Sequence, residues 1–140
     1  SLGAAALLGA GLASLEDLPA AAAQGRTLNL HLNRLASLEG LQRFAHLEEL
    51  VLSANALAEL RGLERFDRLR LLDLSCNGLR RLSGLAGLVS LERLAVARNQ
   101  LLTLEGLQQL WGRRYGLRAL DARGNLLAQP QQLLFLGGLV

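Results

Sequence analysis

The stretch Leu47-Glu-Glu-Leu-Val-Leu-Ser-Ala-Asn-Ala-Leu57 returns 22 residues later as Leu69-Arg-Leu-Leu-Asp-Leu-Ser-Cys-Asn-Gly-Leu79. Leucine holds the first, fourth, sixth and eleventh places of both, and asparagine holds the ninth. The frame extends in both directions. Asparagines stand at Asn33, Asn55, Asn77, Asn99 and Asn125, at intervals of 22, 22, 22 and 26 residues. With each asparagine counted as position 9, position 14 is Leu38, Leu60, Leu82 and Leu104, and position 16 is Gly40, Gly62, Gly84 and Gly106. Position 17 is Leu41, Leu63, Leu85 and Leu107, and position 20 is Phe44, Phe66, Leu88 and Leu110. Columns kept over four successive repeats describe one structural unit stacked in space.

A period in this range with the frame L-x-L-x-x-N-x-L is the signature of leucine-rich repeats. The fold class expected is α/β: a right-handed solenoid, with short parallel strands on the concave face and short helices or 3-10 turns on the convex face. Positions 4 and 6 alternate with polar or small residues, so they lie on one face of a short strand. The asparagine follows the strand, where the chain turns; its amide both donates and accepts, and can serve backbone groups that the turn leaves unpaired. Glycine at position 16 marks a turn or a close approach of the returning chain. No coil buries its leucines alone, so stability comes from neighbouring coils.

The repeats run 25–46, 47–68, 69–90 and 91–116, with a partial fifth at 117–128. Residues 1–24 are read as a degenerate first repeat or cap, because Leu12-Ala-Ser-Leu-Glu-Asp-Leu18 matches Leu35-Ala-Ser-Leu-Glu-Gly-Leu41, with Ala10 at the asparagine place. A targeting remnant is the alternative, but the apolar start is too short to span a bilayer and lacks a basic leader. Residues 129–140 are expected to form a terminal helix opened by Pro130, with the C-terminal cap incomplete. Such an end would permit self-association unless further chain covers it. The chain does not begin with methionine, which points to a piece of a longer protein.

The 140 residues suit one domain, and 51% are apolar, most of them leucine. Lysine, isoleucine and methionine are absent, and all 15 basic residues are arginine. A net charge of +3, with 12 acidic residues interspersed, excludes the strong basic footprint of a nucleic-acid binder. A single cysteine, Cys76, forbids an internal disulfide framework and favours a reducing, cytoplasmic compartment. It is read as a small, partly buried residue at the strand end.

No catalytic or cofactor motif is present, and neither His31 nor His46 has partners at metal-ligand spacing. The chain is therefore expected to be no enzyme, to hold no cofactor, metal, nucleic acid or membrane, and to bind protein. Positions 3, 5, 7 and 8 are expected to face the concave side, as solenoid partner platforms do. The candidates there are His31, Val51, Ser53, Asp73, Ser75, Arg93, Arg98, Asp121 and Arg123. A second candidate surface is the lengthened fourth repeat, where Trp111, Arg113, Arg114 and Tyr115 unite the residue types most enriched in interface hot spots.

The frame resembles the SDS22-like class of repeats, an intracellular class that includes phosphatase regulators, a dynein light chain and centrosomal proteins. The strands LNLHLN and LDLSCN, the lengthened fourth repeat and the run YGLRALDARGNLLAQPQQLLFLGGL at 115–139 narrow this further. They resemble the N-terminal repeat domain of the leucine-rich repeat and coiled-coil centrosomal proteins, and the Ala/Arg-rich composition suits the green-algal, variable-flagella-number branch of that family. Ala122 and Gly124 depart from it, standing where leucine and serine are usual. The resemblance implies a centrosome or basal-body scaffold that continues into coiled coil and helps set the position, asymmetry or number of centrioles or flagella. The alternative is a regulatory subunit of an enzyme or motor, similar to a phosphatase regulator or a dynein light chain.

Overall fold

The computed structural model describes residues 4–110 and 116–127. Six strands, β1 (Ala4–Ala6), β2 (Thr27–Asn29), β3 (Glu49–Val51), β4 (Leu71–Asp73), β5 (Arg93–Ala95) and β6 (Ala119–Asp121), form one sheet in chain order. Every pairing is parallel, and equivalent positions face one another: Leu28 pairs with Leu50, Leu50 with Leu72, Leu72 with Leu94, and Leu94 with Leu120. The structure is a leucine-rich repeat solenoid, one strand per coil. β1 sits at the same offset from Ala10 as the other strands from their asparagines, and it pairs with β2 from Ala4 and Thr27 to Ala6 and Asn29.

Burial follows the columns. Leu28, Leu50, Leu72 and Leu94 at position 4, and Leu30, Leu52, Leu74 and Val96 at position 6, are all buried. Positions 11, 14, 17 and 20 close the core from the other sides, with Phe44 and Phe66 its largest buried side chains. At about 25 cal/mol per Å² of apolar surface buried, these stacked columns are the main stabilising term.

The strands are only three residues long: a left-handed turn follows each of them, and alternate ones are also capped by a side chain. At position 7 the N–H of His31, Ser75 and Arg123 donates to the side chain of the residue two earlier, Asn29, Asp73 and Asp121 respectively. At position 8 the backbone turns left-handed: φ is +62° at Leu32, +56° at Ala54, +57° at Cys76 and +54° at Arg98. Glycine, which adopts this conformation without strain, fills the equivalent place in the first and last coils as Gly9 and Gly124. His31, Ser53, Ser75, Arg98 and Arg123, expected on strands, therefore lie in the turns beyond them.

The asparagines complete the turn and join the coils. Asn99 Nδ2 donates to the carbonyls of Leu74, Val96 and Ala97, and its Oδ1 accepts from Leu79 N–H. Asn33, Asn55, Asn77 and Asn125 do the same one coil at a time. The ladder thus runs from side chain to backbone. Each asparagine bonds its own coil and the coil before it.

The outer return is 3-10 helix at Leu41–Phe44 and Leu107–Leu110, and turns at the same place in the second and third repeats. Too few residues separate position 17 from the next strand for a full α-helix. Glycine at position 16 enters this return left-handed, at φ +89°, +115°, +82° and +113°. It also packs tightly: a Cβ on Gly84 would lie 2.5 Å from the Leu60 carbonyl oxygen. At the N-terminal end, 3-10 segments span Leu15–Asp17 and Ala20–Gln24. Arg43 ties the first of these down, donating to the Leu15 carbonyl at 2.5 Å and lying 4.9 Å over the Phe44 ring. The expected bulge residues Trp111, Arg113, Arg114 and Tyr115, and the expected terminal helix at 129–140, lie outside the described residues.

Candidate functional site

The register of the sheet sets two rows across its open face. Position 5 gives Asn29, Val51, Asp73, Ala95 and Asp121 in successive strands; position 3 gives Thr27, Glu49, Leu71, Arg93 and Ala119. Strands lie about 4.8 Å apart, so neighbours within a row are in reach of one partner group. Over β4 to β6 the rows leave a shallow depression lined by Leu71, Asp73, Arg93, Ala95, Ala119 and Asp121. Ala95 and Ala119 form its low floor, Arg93 is exposed, and Asp73 and Asp121 are half-buried at either side. Of the residues proposed from sequence, Val51, Asp73, Arg93 and Asp121 stand on this face.

The candidates in the turns are partly spent on one another. His31 Nδ1 and Ser53 Oγ are 2.7 Å apart, and Ser53 is buried. Arg123 grips Asp121 with two bonds of 2.9 Å, from Nε to Oδ1 and from Nη2 to Oδ2. That hydrogen bonding holds the Asp121 carboxyl below its ordinary value of 3.8, with smaller contributions from the Arg123 and Arg98 charges. The same contact raises the Arg123 guanidinium. Asp73 carries one local bond, from Ser75 N–H, and has no ion pair among the described residues. Arg93 and Arg98 are exposed and likewise unpaired among the described residues. The chemistry presented outward is therefore Arg93 and Asp73 beside Ala95 and Ala119, with Arg98 in the turn beyond β5.

Two columns escaped the sequence reading. One is the local capping by Asn29, Asp73 and Asp121, visible as an acid or amide two residues before position 7 in alternate coils. The other is position 2, where Arg26, Glu48, Arg70, Glu92 and Arg118 alternate in sign. Arg70 meets Glu92 at 3.0 Å and Arg26 meets Glu48 at 3.5 Å across the coil boundary. These exposed pairs contribute little stability each, but a one-coil slip would set like charges side by side.

Among the described residues, no group of three or more His, Cys, Asp or Glu could hold a metal ion, and no helix is long and apolar enough to cross a membrane.

Comparison with solved structures places the chain among leucine-rich repeat proteins. A leucine-rich repeat protein of Leptospira interrogans superposes with a TM-score of 0.72 at 26% identity, covering 89% of this chain and 33% of that one. Internalin C2 of Listeria monocytogenes gives 0.70 at 26%, covering 84% and 50%, and a second internalin of that organism gives 0.70 at 21%, covering 86% and 35%. The chain thus spans a third to a half of the length of these structures. No protein-family model matches the chain, and no curated protein matches it. The class is that of a leucine-rich repeat domain, a fold whose open sheet face suits protein–protein interaction.

Proposed function

We propose that the chain is a non-catalytic, protein-binding repeat module of a centriole or basal-body scaffold. The observation that carries the binding role is the open face of β4 to β6, where Arg93 and Asp73, without an ion pair among the described residues, line a depression with Ala95 and Ala119, and exposed Arg98 stands in the turn beyond β5. An open sheet with outward charges beside small residues fits a complementary protein surface. The cytoskeletal address rests on the resemblance of the lengthened fourth repeat and residues 115–139 to the centrosomal family. In this reading the protein acts at the centrosome or basal body in the cytoplasm, and its partners are centriolar or cytoskeletal proteins.

Localisation of the tagged full-length protein tests the address. A focus at centrioles or basal bodies is the expected result; diffuse cytoplasmic signal, or co-migration with a phosphatase or a dynein motor, refutes it in favour of a regulatory subunit. The binding role is tested by Arg93→Glu combined with Arg98→Glu, both on exposed positions. Loss of the focus with retained folding supports partner binding through the open face, and an unchanged focus counts against it.

A further inference from the structure

The coil flanks carry a second feature, away from the open sheet face. Between successive coils, the segment after the asparagine turn leaves a groove. One such groove lies between the first and second repeats and another between the third and fourth, crossing the same columns. Their chemistry is opposite. The first is edged by Glu39, Glu59 and Arg61, with alanine and serine between; its arginine is already paired with Glu59 at 3.8 Å. The second is edged by Arg80 and Arg81, with Glu105 the one carboxylate, and carries Leu102 on its wall.

Leu102 is the one leucine of its column. Its column holds Ala36, Ala58 and Arg80 in the preceding repeats, and Leu102 itself is 65% exposed. Arg80 and Arg81 are exposed and make no ion pair among the described residues. The sequence leans the same way: residues 69–140 hold nine arginines and four acidic residues, residues 1–68 six arginines and eight acidic ones.

We propose that the groove between the third and fourth repeats docks an acidic protein segment carrying an aliphatic side chain. Its carboxylates pair with Arg80 and Arg81, and its apolar side chain packs on Leu102. Gln108 and Thr103, whose side-chain oxygens accept from the Gly106 and Glu105 N–H groups, can still donate from the amide and the hydroxyl to the carbonyls of an extended backbone. Guanidiniums recognise carboxylates through forked hydrogen bonds, and a bare leucine beside them rewards an apolar anchor. A phosphate polymer gains nothing from Leu102, whereas a peptide with an aliphatic side chain does. This site is distinct from the open face, and a partner can engage either or both.

The probe is a fluorescein-labelled peptide of repeated Glu-Glu-Leu, followed by fluorescence anisotropy with the whole chain. Arg80→Glu with Arg81→Glu is expected to weaken binding by about tenfold or more, and Leu102→Ser by about tenfold. Glu59→Arg, in the opposite groove, is expected to leave it unchanged or slightly tighter. All these side chains are exposed, and circular dichroism confirms folding of each variant. Five results would overturn the proposal. The first is no binding by the wild-type chain. The second is equal binding of a Glu-Glu-Ser peptide. The third is loss of binding with Arg93→Glu and Arg98→Glu while the groove variants bind normally, which would leave the open-face reading intact. The fourth is displacement of the peptide by a single-stranded oligonucleotide at lower concentration than by unlabelled peptide. The fifth is self-association abolished by Arg80→Glu and Arg81→Glu, which would assign the groove to the acidic flank of a second copy.

Discussion

Removing two adjacent asparagines should cost more than the sum of removing each. The reason lies in how their acceptors are shared. Leu74 carbonyl accepts from Asn77 at 3.0 Å and from Asn99 at 2.9 Å. In Asn99→Ala, Leu74 keeps Asn77, Val96 carbonyl keeps Asn125, and Ala97 carbonyl keeps Cys76 N–H. The one backbone group orphaned is Leu79 N–H, bonded solely to Asn99 Oδ1. In Asn77→Ala the orphan is Leu57 N–H, by the same logic. An unsatisfied buried donor costs about 1–3 kcal/mol, so each single variant should lose about 2 kcal/mol. The double variant orphans Leu74 carbonyl as well, at a residue with no exposed surface. That adds a coupling of about 1–3 kcal/mol, for a total near 6 kcal/mol. The control is Asn55→Ala with Asn99→Ala, whose acceptors do not overlap; it should be additive within about 0.5 kcal/mol. Urea unfolding followed by far-ultraviolet circular dichroism gives all five free energies. A coupling for the adjacent pair no larger than that of the control would refute the shared-acceptor ladder, because it would mean that Leu74 carbonyl finds another partner.

The remaining expectations concern the backbone, the carboxyl and the cap. Gly106→Ala forces a Cβ onto the Leu82 carbonyl at φ +113° and should lower stability by about 3 kcal/mol, read from thermal unfolding. Ala54→Gly, at φ +56°, should act in the opposite direction and stabilise by about 0.5 kcal/mol, since left-handed strain relieved exceeds the entropy added; a loss of stability would contradict this. Asp121, with its carboxyl depressed by Arg123, contributes stability that is fully present above the ordinary value of 3.8 and is lost as pH falls through its lower folded value. Arg123→Gln should therefore move the Asp121 carboxyl titration upward in nuclear magnetic resonance, and an unmoved titration would remove the pair as its cause. Arg43→Met should release the Leu15 carbonyl and speed amide exchange over residues 15–18, with a loss of about 1 kcal/mol; protection equal to wild type would show that the contact holds nothing in place.

What could be read from the residues alone follows from burial. The coil repeats because apolar side chains at positions 4, 6, 11, 14, 17 and 20 must all be hidden, and each carries its own mark in the composition. Gly106 and its column announce a left-handed turn because other residues are strained there. The asparagine column likewise announces an unpaired backbone. These are one-residue requirements, so a single chain displays them. The open face was legible only as a set of positions. Whether Ser53 faces water or His31 depends on which groups the register brings within 3 Å, whereas Asp121 is taken by Arg123 only two residues further along the same coil. The contrast between the two flank grooves belongs to the same kind: Arg81 and Leu102 are 21 residues apart and meet only because successive coils stack. Burial is a property of each residue and of its period. Pairing at the surface is a property of two, and only the stacked coils decide it.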